Sequence, residues 1–128
     1  MLGESDFVVL ALPLTPETDT LMDAARFAQM KPGAWLINVA RGQLVDERAL
    51  LRALRDGRLG GAVLDCLREE PLPPTSPLWT APGVIVTPHT AWSSGRVLDR
   101  SIELFCENLA RYRDGRALLN VVDPRAGY

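Results

Sequence analysis

Apolar positions along the chain alternate between short unbroken runs and helically spaced stripes. Phe7-Val8-Val9-Leu10-Ala11-Leu12 is a continuous apolar run closed by Pro13, the pattern of a strand buried on both faces. Thr15 to Thr18 reads as a turn or helix start, and Asp23 to Met30 as a short helix. Lys31-Pro32-Gly33 ends that helix, with proline presetting one central turn position and glycine supplying positive φ at the next. Ala34 to Val39 predicts a second strand. Asp46 then caps a helix whose apolar face is Ala49, Leu50, Ala53 and Leu54, and Gly57 stops it. Gly60 to Cys66 reads as a third strand, the proline-rich run from Glu70 to Pro77 as a loop, and Val84-Ile85-Val86 as a fourth strand. From Ser94 to Arg113, the residues Leu98, Ile102, Phe105, Leu109 and Tyr112 fall at steps of four, three, four and three, one stripe on a long helix. Gly115 closes it, and a tail runs from Ala117 to Tyr128.

Strands alternating with helices predict an α/β fold with a parallel sheet and right-handed crossovers. A doubly wound nucleotide-binding sheet usually has about six strands in two halves; here the pattern supplies about four. No G-x-G-x-x-G occurs, and none of the ten glycines falls two positions from another. The sequence therefore reads as the second half of a Rossmann-like doubly wound parallel sheet with a long C-terminal helix. Residues 1–93 form the sheet-bearing part, and residues 94–128 the helix and tail.

Composition narrows the function classes. With 128 residues, 47% of them hydrophobic, the chain can bury one core, and its net charge of −2 with mixed signs offers no basic field for nucleic acid or an anionic membrane. No apolar run approaches the ~20 residues of a membrane span, and the first residues carry no basic signal-peptide start. Cys66 and Cys106 have neither disulfide nor zinc spacing, and His89 is the single histidine, so no metal site is expected. These features predict a soluble cytoplasmic protein with reduced thiols.

Parallel α/β sheets bind ligands beyond the carboxyl ends of their strands. That edge collects Arg41 after the second strand, Asp65 and then Glu70 after the third, and His89 after the fourth. Each has a plain reading: surface cation, loop-ordering carboxylate, solvated loop acid, structural histidine. Their coincidence on one edge favours a site. A glutamate hydrogen-bonded to His89 would favour its imidazolium and let it give and take a proton near neutral pH, while Arg41 could hold a carboxylate in bidentate fashion. This set suits redox chemistry at a carbon beside a carboxylate, and equally a hydratase or decarboxylase. A cysteine or serine nucleophile finds little support, since Ser93 and Ser94 follow His89 too closely and no G-x-S-x-G is present.

The runs DFVVLALPLTPET (Asp6–Thr18), MKPGAWLINVARG (Met30–Gly42), GAVLD (Gly61–Asp65), EEPLP (Glu69–Pro73), SPLW (Ser76–Trp79), VTPHTA (Val86–Ala91) and NVVD (Asn120–Asp123) come in an order that resembles the C-terminal part of the D-isomer-specific 2-hydroxyacid dehydrogenases. The resemblance covers nearly the whole chain. It implies NAD or NADP as cofactor and a small 2-oxoacid or 2-hydroxyacid as substrate. It assigns Arg41 to the substrate carboxylate and carbonyl, His89 to proton transfer at the 2-oxo oxygen as hydride arrives, and Glu70 to orienting His89. It places Asp65 near the nicotinamide carboxamide and ribose, and Pro13 and Thr18 on a loop bordering the cofactor. Val39, Ala40, Ala91 and Trp92 fall where family members line the nicotinamide pocket.

Family members are longer. Before this region they carry a substrate domain and a first Rossmann half, with the glycine loop and the residue that selects NAD or NADP. Their return helix and tail pack on the substrate domain. Cys66 stands where an aliphatic residue is common and is expected to be buried beside Asp65 and unreactive. Two expectations follow. The chain is the C-terminal half of a dehydrogenase, catalytic when joined to the other half. Alternatively, it is a non-catalytic remnant acting as an oligomerising or protein-binding module, because the first strand would present a bare apolar edge. Either way, the edge predicts a homodimer through that strand, an exchanged return helix, or association with an N-terminal half.

Overall fold

The computed structural model describes residues 1–125. Among them, the strands β1 (Phe7–Leu10), β2 (Trp35–Asn38), β3 (Gly61–Leu64) and β4 (Val84–Val86) form one sheet in the order β1-β2-β3-β4. All three pairings are parallel. The helix α1 (Ala24–Gln29) connects β1 to β2, α2 (Glu47–Arg55) connects β2 to β3, and α3 (Val97–Arg113) follows β4. Short 3-10 turns occupy Gly42–Leu44 and Pro77–Thr80.

Local chemistry sets the boundaries. Asp23 caps α1 by accepting the Arg26 N–H at 2.8 Å. The Ala34 N–H donates to the Lys31 carbonyl at 3.0 Å, closing a turn with Pro32 and Gly33 at its centre; Gly33 sits at φ +79°, which the preceding proline and the absent Cβ both favour. Asp46 caps α2 through the Ala49 N–H at 3.0 Å. The buried stripe of α2, Ala49, Leu50, Leu51, Ala53 and Leu54, packs with Phe27 and Met30 on the sheet residues Leu10, Leu36, Ala62 and Leu64.

Three strands are shorter than predicted, β2 keeping only Trp35–Asn38 of the run Ala34 to Val39. β1 stops at Leu10 and β3 at Leu64, because the ladder needs a partner at each step and β2 ends at Asn38, opposite both. The expected burial of β1 on both faces is corrected. Leu10 is buried, but Phe7 is 62% and Val9 55% exposed. With period-two alternation, the face opposite the core carries Val9, Ile37, Val63 and Ile85 in one register row across all four strands. Its outer members, Val9 and Ile85, are exposed.

The chain divides into two compact units, Met1–Thr90 and the segment from Ala91 onward. In the second unit α3 has no buried residue, and Leu98, Ile102, Phe105, Leu109 and Tyr112 are all exposed. Asn108 holds the start of the tail, exchanging two hydrogen bonds with the Leu119 backbone at 2.8 and 3.1 Å. Residues 126–128 of the expected tail lie outside the described residues. No described helix is long and apolar enough to cross a membrane.

Candidate active site

Because the strands are parallel, β2, β3 and β4 all discharge their following residues at one sheet edge. After β2, the buried Asn38 turns the backbone. Its Oδ1 accepts the Ala40 N–H at 3.1 Å, and its Nδ2 donates to the Arg41 carbonyl at 2.8 Å. Arg41 emerges exposed, with Nη1 donating to the Ala40 carbonyl at 2.7 Å. Gly42 follows against the loop after β3, so close that an added Cβ would lie 1.9 Å from the Leu67 carbonyl carbon. This approach sets Arg41 beside the segment bearing Glu70.

After β3, Asp65 is buried and its Oδ1 takes the Thr87 hydroxyl at 2.5 Å and the Thr90 N–H at 3.0 Å. It thereby holds the chain on both sides of His89. His89 itself has φ +54°, in the left-handed region that non-glycine residues seldom occupy and that functional sites often hold in place. Glu70 bridges the two loops. Its Oε1 accepts the Leu67 N–H at 2.8 Å, and its Oε2 lies 2.8 Å from His89 Nδ1. The hydrogen bond from His89 first, and that from Leu67 next, hold the Glu70 carboxyl below the usual glutamate range against a smaller opposing effect of burial. Glu70 is thus a carboxylate at neutral pH.

Arg41, Glu70 and His89 line one cavity of about 160 Å³ together with Gly42, Gln43, Leu67 and Arg68. Glu70 and His89 also border a second cavity of about 340 Å³, walled by Pro71, Leu72, Trp79, Val86 and Pro88. The structure therefore brings together the three residues expected to do the chemistry. The residues expected to meet the cofactor are more dispersed. Val39 stands exposed and Ala40 buried just before Arg41, and neither lines these cavities. Pro13 and Thr18 belong to the loop after β1, where the Thr18 hydroxyl accepts the Thr15 N–H at 2.7 Å and donates to the Pro13 carbonyl at 2.8 Å. Ala91 and the exposed Trp92 open the second compact unit.

Residues 1–91 match the family described as D-isomer specific 2-hydroxyacid dehydrogenase, NAD binding domain. The chain belongs to this family. Among relatives, a glyoxylate reductase of Korarchaeum cryptofilum is 40% identical over 123 residues, covering 96% of this chain and 37% of the relative. A glycerate dehydrogenase of Methylorubrum extorquens is 42% identical over 125 residues, covering 96% of this chain and 40% of that protein. A solved D-isomer specific 2-hydroxyacid dehydrogenase from Xanthobacter autotrophicus, in complex with NADPH and MES, superposes with a TM-score of 0.90 at 49% identity, covering 99% of this chain and 52% of that one. The chain thus spans roughly two fifths to one half of the length of these relatives.

Three contributors to the geometry of this candidate site escaped the reading of the sequence. Asn38, a polar residue ending an apolar strand, carried a signal in that pattern alone. Arg68 carried none: its side chain reaches the Val45 and Gln43 carbonyls, both at 2.9 Å, together with Asp19 and Thr20, and so pins the turn that follows Arg41. Cys66 was expected to be buried, and is, but its sulfur also lies near the Glu70–His89 pair.

Proposed function

We propose that this chain supplies the acid–base and substrate-binding residues of a nicotinamide-dependent 2-hydroxyacid dehydrogenase acting on a short 2-oxoacid. The observation that carries the proposal is the 2.8 Å contact between Glu70 Oε2 and His89 Nδ1, on a cavity shared with Arg41. An ionised Glu70 accepts a hydrogen bond from the Nδ1–H and so fixes the ring with Nε2 as the atom that exchanges a proton with substrate. In reduction, Nε2 gives its proton to the 2-oxo oxygen; in oxidation, it takes the hydroxyl proton. Arg41 pairs with the substrate carboxylate and draws charge from the developing alkoxide. The cavity of about 160 Å³ suits an acid of glyoxylate or hydroxypyruvate size, the substrates named for several relatives.

The nicotinamide, when bound, supplies or accepts the hydride at C2. The exposed apolar Val39 next to Arg41, with Ala40 and Asp65, would hold its ring and amide, and Pro13 and Thr18 would border its path. The residues present fit the nicotinamide end of the cofactor. The chain has no G-x-G-x-x-G, so backbone donors of that kind for the pyrophosphate are not among them.

The edge of β1 and the apolar row from Val9 to Ile85, exposed at both ends, support an association, either with a second copy or with a partner carrying the complementary half of the sheet. The two unpaired cysteines support a cytoplasmic setting.

Titrating the purified chain with NADH, followed by quenching of tryptophan fluorescence, tests the proposal. Saturation at micromolar concentration, with glyoxylate or hydroxypyruvate reduced in a His89-dependent way, is expected of the assembled site. No saturation by ~1 mM, equivalent to only about 4 kcal/mol of binding, together with no turnover when the complementary half is supplied, would defeat it.

A further inference from the structure

Three different ligand atoms converge where the sequence offers no ligand spacing. One donor atom each from Cys66, Glu70 and His89 lies within 4.8 Å of the other two. They come from the end of β3, the following loop and the residues after β4, so the sheet has to fold before they meet. We propose that Cys66, Glu70 and His89 bind a single divalent cation of the zinc class, whose occupancy takes the acid–base pair out of service.

The donor set selects the metal. Sulfur, imidazole nitrogen and carboxylate oxygen suit zinc or cadmium, whereas magnesium and calcium ask for oxygen alone. Three protein ligands leave a fourth tetrahedral position for water. Tetrahedral zinc bonds of ~2.0–2.3 Å set donor atoms about 3.3–3.7 Å apart, so the widest separation here closes by little more than an ångström, while Glu70 Oε2 and His89 Nδ1, 2.8 Å apart, open slightly. Cys66 itself is buried, with Sγ donating to the Ala40 carbonyl at 3.3 Å. Access runs through Glu70 and His89, which are partly open and border both cavities.

Charge also favours a dication. Two carboxylates, Asp65 and Glu70, act on the Cys66 sulfur from nearby, against one cation, Arg41. Without metal the sulfur keeps its proton. On binding, that proton goes to solvent, a sulfur–metal bond forms, no electron is transferred, and affinity therefore rises with pH. The metal then occupies the space of the Glu70–His89 hydrogen bond. Binding stands on the geometry alone; only the loss of catalysis rests on the role proposed for His89.

The test is a titration of the reduced full chain with Cd²⁺. Two signals are followed: the ultraviolet thiolate-to-cadmium charge-transfer band, and the imidazole resonances of the single histidine. Both should saturate together at one ion per chain, and Zn²⁺ should compete. The band should survive Cys106→Ser and vanish in Cys66→Ser. Loss of an outer partner already weakens metal sites by ~10–100-fold, so His89→Asn and Glu70→Gln should weaken binding by at least ~10-fold. The proposal is overturned if no band forms by ~1 mM Cd²⁺, if the band follows Cys106, or if it grows while the histidine resonances stay in place. The last result needs no variant, so a Cys66 substitution that fails to fold does not protect the idea. Both readouts report binding in the absence of turnover, and so separate this proposal from the dehydrogenase reading.

Discussion

Glu70 joins the loop after β3 to the residues after β4: Oε2 meets His89 Nδ1, while Oε1 takes the Leu67 N–H of its own loop, each at 2.8 Å. The carboxylate that orients the histidine is therefore itself held by backbone, and the two segments cannot part without breaking the bond to His89. A pair built this way is tied to the ends of β3 and β4 rather than to a free loop.

That arrangement makes Glu70 a source of pH-dependent stability. Its folded pKa lies below the ordinary value of 4.5, so its contribution is present above that value and is lost as the pH falls through the folded one. Glu70→Gln removes this dependence. Thermal unfolding across the acidic range should show the wild-type advantage shrinking steadily on acidification. A constant difference between the two proteins would refute the assignment.

For the assembled enzyme, His89→Asn should lower kcat by ~10²–10⁴-fold, the usual worth of a placed acid–base group. Arg41→Lys keeps the charge but loses the planar fork. It should chiefly raise KM for a 2-oxoacid, and lower kcat as far as the carbonyl is polarised. Steady-state reduction of glyoxylate read by NADH absorbance separates the two. Equal small losses in both variants would place the chemistry elsewhere.

Much of this site was legible because parallel topology turns a list of strand ends into a list of neighbours. Arg41, Asp65, Glu70 and His89 follow β2, β3 and β4, and Arg41, Glu70 and His89 meet on one cavity. The Asp46 cap and the Pro32-Gly33 turn are local chemistry and were equally readable. What escaped depends on distance in three dimensions. Burial of β1 reads identically whether one or both faces are covered, since Phe7 and Val9 are apolar either way. Cys66 sits one residue past Asp65 in a run that looks like strand, and only the folded end of β3 turns its sulfur toward His89. Arg68 is one arginine among thirteen until the turn it pins is in view.

Asp65 holds His89 from outside. Its single Oδ1 takes the Thr87 hydroxyl and the Thr90 N–H, the two sides of a residue held at positive φ. Asp65→Ala leaves those donors without their acceptor, which costs about 1–3 kcal/mol for a buried group. Asp65→Asn retains an oxygen and should cost less. Denaturant unfolding measures the loss, and faster exchange of the Thr90 amide locates it. Unchanged exchange in Asp65→Ala would remove Asp65 from this role.

Gly42 tests the contact that sets Arg41 beside Glu70. An added Cβ would lie 1.9 Å from the Leu67 carbonyl carbon and 2.4 Å from the Arg68 nitrogen, both backbone atoms, so the two loops would have to part. Overpacking of this kind costs about 1–3 kcal/mol. Gly33 is the matched control: its Cβ would meet open space, but φ +79° penalises any side chain, by roughly 1–2 kcal/mol. Gly33→Ala and Gly42→Ala should therefore lose comparable stability for different reasons. Only Gly42→Ala should shift the imidazole resonances of His89 and weaken oxoacid binding, because only it displaces the loop between Arg41 and Glu70. If both variants leave those resonances alone, the Gly42–Leu67 contact holds the fold together without setting the geometry of the site.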